Sequence, residues 1–407
     1  MFKFLIKRIF ILMIVMELIF SLNFIYADEY DESDNDADIL SEIEVSNQLG
    51  MPQINSRKYI VYDRKNNMKV LGKNEDKETP MASTTKIMTA IVVLENKPNL
   101  DEISTVSKQA ASIGGSKLGL KEGDKISIRD LLFGLLMRSG NDTAIQLAIE
   151  TSGSKEKFLD EMNLKAKKMQ LTHTNFTSPH GLDDPNHYTT AKELAIMTDY
   201  ALKNETIRTI VGTRYATIRI NNQERQIKNT NELLVNNIEG VYGVKTGFTN
   251  MAGRCLVTAV KRNGMDLIIV VIGADTKKDR GADTLKLIKF VESNYSNRNV
   301  EENIEEEFIK WKNINEKRIF VNKGITNLKL KLKEIPIKNI ITNQEIKIEI
   351  NAITYIEAPI FENEKIGEVI VKNGEELIEK IDIVCEKSVK RKGIIEYSLM
   401  MLNEMIH

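Results

Sequence analysis

The chain has 407 residues, room for two or three domains, and its 42% hydrophobic and 28% charged content excludes a wholly disordered polymer. A formal net charge of −1 excludes the global basic excess of a nucleic-acid binder. Only two cysteines, Cys255 and Cys385, are present, which excludes a disulfide-dense scaffold; both read as buried thiols.

The first predicted segment is apolar. Lys3, Lys7 and Arg8 precede a run from Ile9 to Tyr26, and Ala27 stands at a plausible cleavage position. Residues 1–27 read as a secretory signal peptide. A retained membrane anchor is the alternative, because Glu17 interrupts the run and Ile25 is bulky for its place. Either reading exports the rest of the chain. Residues 28–44 carry a dense run of acids with little to bury and read as a disordered spacer.

Tyr59–Tyr62 and Met68–Leu71, separated by a polar turn, read as a hairpin. Ser83 to Glu95 reads as a helix with apolar residues on most sides, hence buried. Two helical pieces follow at 127–137 and 142–151, broken at Ser139-Gly140-Asn141, then an amphipathic helix over 155–171. A further helix starts at Thr189 or Thr190 as N-cap and presents Leu194, Met197 and Leu202. From about 241 the pattern turns to strands: 241–247, 254–262 and 265–274, with Asn263-Gly264 as the hairpin turn between the last two. A helix over 281–295 closes this region. Residues 45–292 thus predict an α+β domain, a small antiparallel sheet with helices packed on it.

Residues 300–385 differ. The stretches 327–335 and 345–351 alternate strictly between apolar and charged residues, and 365–385 adds two strands around Gly374, so a separate small β-domain is predicted. Residues 386–407 combine Lys387, Lys390, Arg391 and Lys392 with a broad apolar face from Ile394 to Ile406. This suits a helix lying on a membrane surface, with docking on a protein as the alternative; it is too short and polar to span a bilayer.

Three short motifs occur in order: Ser83-Thr84-Thr85-Lys86 at the start of a buried helix, Ser139-Gly140-Asn141 between two helices, and Lys245-Thr246-Gly247 in a strand before a hairpin. Each is weak alone; the ordered triple is specific. With "LLFGLLMRSGNDTAIQLA", "TNFTSPHGL" and "GVKTGFTNMAGRCLVTAVKRNGM" around them, residues 45–292 resemble the low-molecular-mass penicillin-binding proteins, serine-type D-alanyl-D-alanine carboxypeptidases. The resemblance implies a β-lactamase/transpeptidase-like fold, a second small all-β domain, and a membrane-associating C-terminal helix. It implies removal of the terminal D-alanine from peptidoglycan stem pentapeptides through an acyl-enzyme on Ser83. Acylation by penicillins, a part in cell-wall biogenesis and cell shape, and residence at the outer face of the membrane or in the wall are implied too.

The chemistry of the residues agrees with that reading. A serine hydroxyl needs a base, and Lys86 one turn on can serve if burial and a nearby cation such as Lys245 favour its neutral amine. By the resemblance, the N–H groups of Ser83 and Phe248 form the oxyanion hole, and Lys245 and Thr246 hold the substrate's terminal carboxylate. Gly247 lets backbone approach closely. The same resemblance implies that Ser139 carries a proton to the leaving amine and that Asn141 binds the substrate amide and steadies Lys86. No cofactor, metal or nucleic acid is expected: His173, His180 and His187 lie seven apart, unlike a helical metal site. Arg254 and Arg280 are candidates for carboxylate contacts or for packing. A class A β-lactamase is the alternative enzyme, but 171–190 holds Asp183 and Asp184 and no glutamate for deacylation, so a long-lived penicilloyl adduct is expected. A catalytically silent membrane-surface binder is the alternative outside enzymes.

Overall fold

The computed structural model describes residues 51–396 and 398–399. The expected signal segment, the spacer and the end of the tail lie outside the described residues. The chain divides into two compact units between Ser293 and Asn294.

The first unit runs β1 (Lys58–Asp63), β2 (Met68–Lys73), a 3-10 turn (Ala82–Thr85), α1 (Lys86–Asn96), β3 (Ile103–Thr105), α2 (Lys108–Ser112), β4 (Lys125–Ser127), α3 (Ile128–Met137), α4 (Asn141–Ser152) and α5 (Lys155–Lys168). It continues with α6 (Ala191–Lys203), α7 (Glu205–Val211), β5 (Tyr215–Ile220), β6 (Gln223–Lys228), α8 (Glu232–Val235), β7 (Val241–Thr249), β8 (Gly253–Arg262), β9 (Met265–Ala274) and α9 (Lys277–Asn294).

Its main sheet has the order β2-β1-β9-β8-β7 and is antiparallel throughout. Asn263 and Gly264, both with positive φ, turn the chain between β8 and β9 and pair Arg262 with Met265. Nearly every residue of β8 and β9 is buried, so they read as unbroken apolar runs, the pattern of a sheet covered on both faces. Strand β7 lies at the edge.

Helix α1 buries every residue from Lys86 to Val93 and touches α3, α4, α5 and α6, which accounts for its lack of a polar stripe. Thr190 caps α6 by accepting from Glu193 N at 3.0 Å. A second sheet, β3-β4-β5-β6, lies apart from the first. Ser83 differs from expectation in one respect: it sits in the 3-10 turn that precedes α1, not in the α-helix itself.

The second unit contains α10 (Val300–Asn315) and β10 to β17: Ser296–Asn299, Phe320–Asn322, Leu330–Leu332, Asn339–Thr342, Ile346–Ala352, Tyr355–Glu357, Lys365–Asn373 and Glu376–Cys385. Its largest sheet has the order β12-β17-β16-β14, all antiparallel, and Gly374 (φ 60°) lies in the β16–β17 turn. The alternating charges of β14 and β16 lie on an exposed face, where Lys372 meets Glu349 across the strands at 2.7 Å.

Helix α10 was not among the predicted elements. Asn299 caps it, Glu301 and Glu302 occupy the first turn, and Val300, Ile304 and Phe308 bury one narrow stripe. Beyond the sheet, residues 394–396 and 398–399 are helical, and Ile394 is 88% exposed. Among the described residues no helix is long and apolar enough to cross a membrane. Cys255 and Cys385 are both free and buried.

Candidate active site

The site starts from the 3-10 turn. Three residues per turn bring positions i and i+3 into register, so Ser83 and Lys86 project together. Ser83 is the turn's one residue that is not buried, whereas Lys86 has no exposed surface. Lys86 Nζ lies 2.8 Å from Ser83 Oγ, 2.8 Å from Asn141 Oδ1 and 2.9 Å from the backbone oxygen of His180. As an ammonium, Lys86 can donate to all three. As an amine, it donates to Asn141 and His180 and turns its lone pair to the serine hydroxyl. One proton shift along the Nζ–Oγ contact interconverts the two, with no change of partners.

Asn141 opens α4, and its side chain is fixed at both ends: Oδ1 by Lys86, Nδ2 by Gly114 O at 2.8 Å. Two residues earlier, Ser139 adopts φ 59°, a left-handed conformation that is strained for a residue with a Cβ. Its hydroxyl is buried and has no hydrogen-bond partner among the described residues. A buried hydroxyl without a partner, held in strained backbone, is a feature that calls for an explanation.

Strand β7 brings the third motif to the nucleophile. A Cβ on Gly247 would lie 3.1 Å from Ser83 N and 3.2 Å from Ala82 Cβ, so any other residue would have to push the turn back by a few tenths of an ångström. Lys245 and Thr246 are buried; Lys245 Nζ donates to Thr246 O at 2.8 Å, and Thr246 Oγ1 meets Thr230 Oγ1 at 2.8 Å. Phe248 is half-buried beneath the Arg254 guanidinium, 3.9 Å from its ring centre. The structure therefore gathers Ser83, Lys86 and Asn141 into direct contact, sets Gly247 against Ser83, and holds Ser139 in the turn that leads into Asn141. Arg280 is elsewhere engaged: it grips Glu232 through Nε and Nη2, with both side chains buried.

Several supporting residues escaped the sequence reading. Asp142 accepts from the N–H groups of Leu118, Gly119 and Leu120 at 2.8–3.0 Å and ties the loop before β4 to the second motif. Its signal was its place, an acid in the first turn of a helix directly after the motif. Thr230 links the end of α3 to the third motif, since its N–H donates to Met137 O at 3.0 Å while its hydroxyl meets Thr246. Gly181 (φ 90°) presses its Cα face on Ala82 O. Burial first, and next the proximity of Lys86, pushes His180 down to about 3; burial pushes His187 down to about 4. Both imidazoles are neutral at neutral pH.

A serine paired with a buried lysine at the start of a helix, packed against an edge strand that carries a second lysine, is the arrangement of an acyl-transferring serine hydrolase. Residues 45–276 match the family model described as D-alanyl-D-alanine carboxypeptidase, and residues 301–391 match the C-terminal domain of penicillin-binding protein 5. The chain belongs to the D-alanyl-D-alanine carboxypeptidase family. It is 32% identical over 348 residues to D-alanyl-D-alanine carboxypeptidase DacF of Bacillus subtilis, covering 83% of this chain and 87% of that protein. It is 36% identical over 256 residues to DacC of Escherichia coli, covering 58% of this chain and 61% of that protein. Among solved structures it resembles the carboxypeptidase DacD of Francisella tularensis, with a TM-score of 0.68 and 25% identity over 89% of this chain and 100% of that one. It also resembles penicillin-binding protein 5 of Haemophilus influenzae, with a TM-score of 0.67 and 27% identity over 84% and 100% of the two chains.

Proposed function

We propose that this hydrolase removes the terminal D-alanine from peptidoglycan stem pentapeptides, with Ser83 as nucleophile and Lys86 as its base. The contact that carries the reading is Lys86 Nζ to Ser83 Oγ at 2.8 Å, with the lysine fully buried. An ionised ammonium is disfavoured by burial, while the acceptors around Nζ stabilise it once it has formed. The amine takes the serine proton as Oγ attacks the penultimate alanine carbonyl. The ammonium then donates to the oxygens of Ser83, Asn141 and His180.

The substrate lies extended along the free edge of β7, as a strand added to the sheet. The N–H groups of Ser83 and Phe248 receive the oxyanion, the interaction that gains most as charge develops. Lys245 and the Thr246 hydroxyl hold the terminal carboxylate. The second N–H of the Asn141 amide binds the substrate's amide oxygen. Ser139 Oγ relays to the departing amine the proton that Lys86 took from Ser83, so that Lys86 returns to its neutral form and Ser139 keeps its own hydroxyl proton; its unpartnered hydroxyl suits the task. D-Alanine leaves, water attacks the ester, and Ser83 is restored. Penicillins acylate the same serine.

Export places this chemistry outside the cytoplasmic membrane, and the tail holds the enzyme at its surface. Exposed Ile394, Ile395 and Leu399 follow the cations Lys387, Lys390, Arg391 and Lys392, a pairing that suits anionic headgroups. Removal of residues 386–407 abolishes sedimentation with anionic vesicles in this reading. The catalytic assignment is tested with a stem pentapeptide and mass spectrometry. The parent releases one alanine, Ser83→Ala releases none, and equal trimming by the two refutes the assignment.

A further inference from the structure

The peptide unit joining Ala82 to Ser83 has two polar edges. Its N–H, on Ser83, is the oxyanion donor in the proposed function, and this inference rests on that reading. Its C=O, on Ala82, points to the opposite side, because the amide is planar and trans. What holds that oxygen sets the aim of the N–H.

The holder is a chain of hydrogen bonds rooted in the 175–190 loop. Thr85 Oγ1 donates to Ala82 O at 2.7 Å and meets His187 Nε2 at 2.7 Å. The N–H of Thr177 donates to His187 Nδ1 at 3.0 Å. A backbone N–H can only donate, so Nδ1 is the acceptor and the neutral ring carries its proton on Nε2. Nε2–H therefore donates to Thr85 Oγ1, and the threonine hydroxyl has one direction left for its own proton, Ala82 O. Every donor in the sequence Thr177 N–H, His187 Nε2–H, Thr85 O–H points the same way along the chain, towards the peptide unit whose other edge is the Ser83 N–H. Hydrogen bonds aligned in this fashion polarise one another.

Two further observations show that the orientation is constrained. Ala82 adopts φ 48°, an unfavourable conformation for alanine that must be held from outside. Thr85 and His187 are buried to 0% and 2% exposure, with Phe176 edge-on to the imidazole at 5.8 Å, so bulk solvent does not reach either side chain.

We propose that His187 and Thr85 are positioning residues for the oxyanion hole: through Ala82 O they aim and polarise the Ser83 N–H. Neither touches substrate, so their effect falls on bond making and not on ground-state binding.

The test compares Thr85→Val, which keeps shape and loses the hydroxyl, with Thr85→Ser, which restores it, and with His187→Phe. Each is made in the full chain. Removing an oxyanion donor outright lowers kcat about 10²- to 10³-fold, so misaiming one lowers it about 10- to 100-fold. Thr85→Val and His187→Phe show that loss in kcat with KM for a stem pentapeptide nearly constant, and Thr85→Ser recovers most of the rate. The decisive reading is the infrared band of the penicilloyl ester carbonyl, which hydrogen bonds in the oxyanion hole shift to lower wavenumber. The band moves up in Thr85→Val and His187→Phe and returns in Thr85→Ser. If Thr85→Val does not fold, His187→Phe carries the comparison. An unchanged band alongside slower acylation makes the two residues merely structural and overturns the proposal. A parent protein that forms no ester on Ser83 overturns the underlying function instead, and is recognised by the absence of any band.

Discussion

Gly181→Ala measures how firmly the 178–181 loop shapes the nucleophile turn. A Cβ on Gly181 would lie 2.0 Å from Ala82 O and 2.6 Å from Thr85 Oγ1, and the residue has φ 90°. Real Cβ atoms essentially never come within 3.0 Å of such neighbours, so at least 3.0 − 2.0 = 1.0 Å must open between loop and turn. The obstructing atom is a backbone carbonyl and cannot swing aside as a side-chain tip can. The same loop supplies His180 O to Lys86, so the opening disturbs the base as well as the nucleophile. A misplacement of about 1 Å at a reacting group lowers the rate about 10²-fold. Alanine in left-handed backbone adds about 1–2 kcal/mol of destabilisation. Two other glycines calibrate the result. Gly247→Ala needs only a few tenths of an ångström from Ser83 N and is expected to lose less. Gly123, with φ 85° and nothing within 4 Å of its Cβ position, isolates the backbone effect, so Gly123→Ala melts lower and acylates normally. The assay is the second-order rate of labelling by a fluorescent penicillin, with thermal unfolding measured on the same samples. Gly181→Ala labelling at the parent's rate would show that the loop does not hold the turn, and the reasoning would fail.

Acid sensitivity follows from the two buried imidazoles. An unfolded histidine takes a proton near 6.5, whereas His180 and His187 resist until about 3 and about 4. Above pH 6.5 their contribution to stability is complete; as pH falls towards 4 it drains away, by up to about 1.4 kcal/mol per pH unit for each. Denaturant midpoints between pH 7 and pH 5 should show this slope, and His187→Gln should reduce it by about half; a flat profile contradicts the burial. Glu232→Gln leaves the Arg280 guanidinium buried and underpaired, which costs about 3 kcal/mol in denaturant unfolding while the labelling rate per folded molecule holds. Because 171–190 supplies no glutamate, the penicilloyl adduct on Ser83 should persist through prolonged incubation in mass spectra, and rapid turnover would favour the β-lactamase reading.

The site was legible where chemistry and local periodicity coincide. Ser83 and Lys86 stand three apart before an apolar run, and the run's lack of a polar stripe announced α1 as central. Asn263-Gly264 announced the β8–β9 hairpin because the turn itself demands positive φ. What the sequence concealed is long-range. Thr230 joins Met137 to Thr246, and His187 reaches Thr85 across 102 positions; no spacing encodes such contacts. The 3-10 start was hidden for another reason. The turn begins at Ala82 with φ 48°, a conformation foreign to alanine's own preference and so unreadable from its identity. Helix α10 was masked by composition, since Val300, Ile304 and Phe308 form too thin a stripe to stand out among glutamates and lysines.

Strand β7 ends its sheet, and among the described residues no sixth strand lies beyond it. A border left unzipped in this way would, in most proteins, be an invitation to any stray extended polypeptide. In the proposed reading the invitation is conditional. Lys245 and Thr246 receive a chain terminus, which the interior of a neighbouring polypeptide cannot offer, so only a strand that ends at the site is held there.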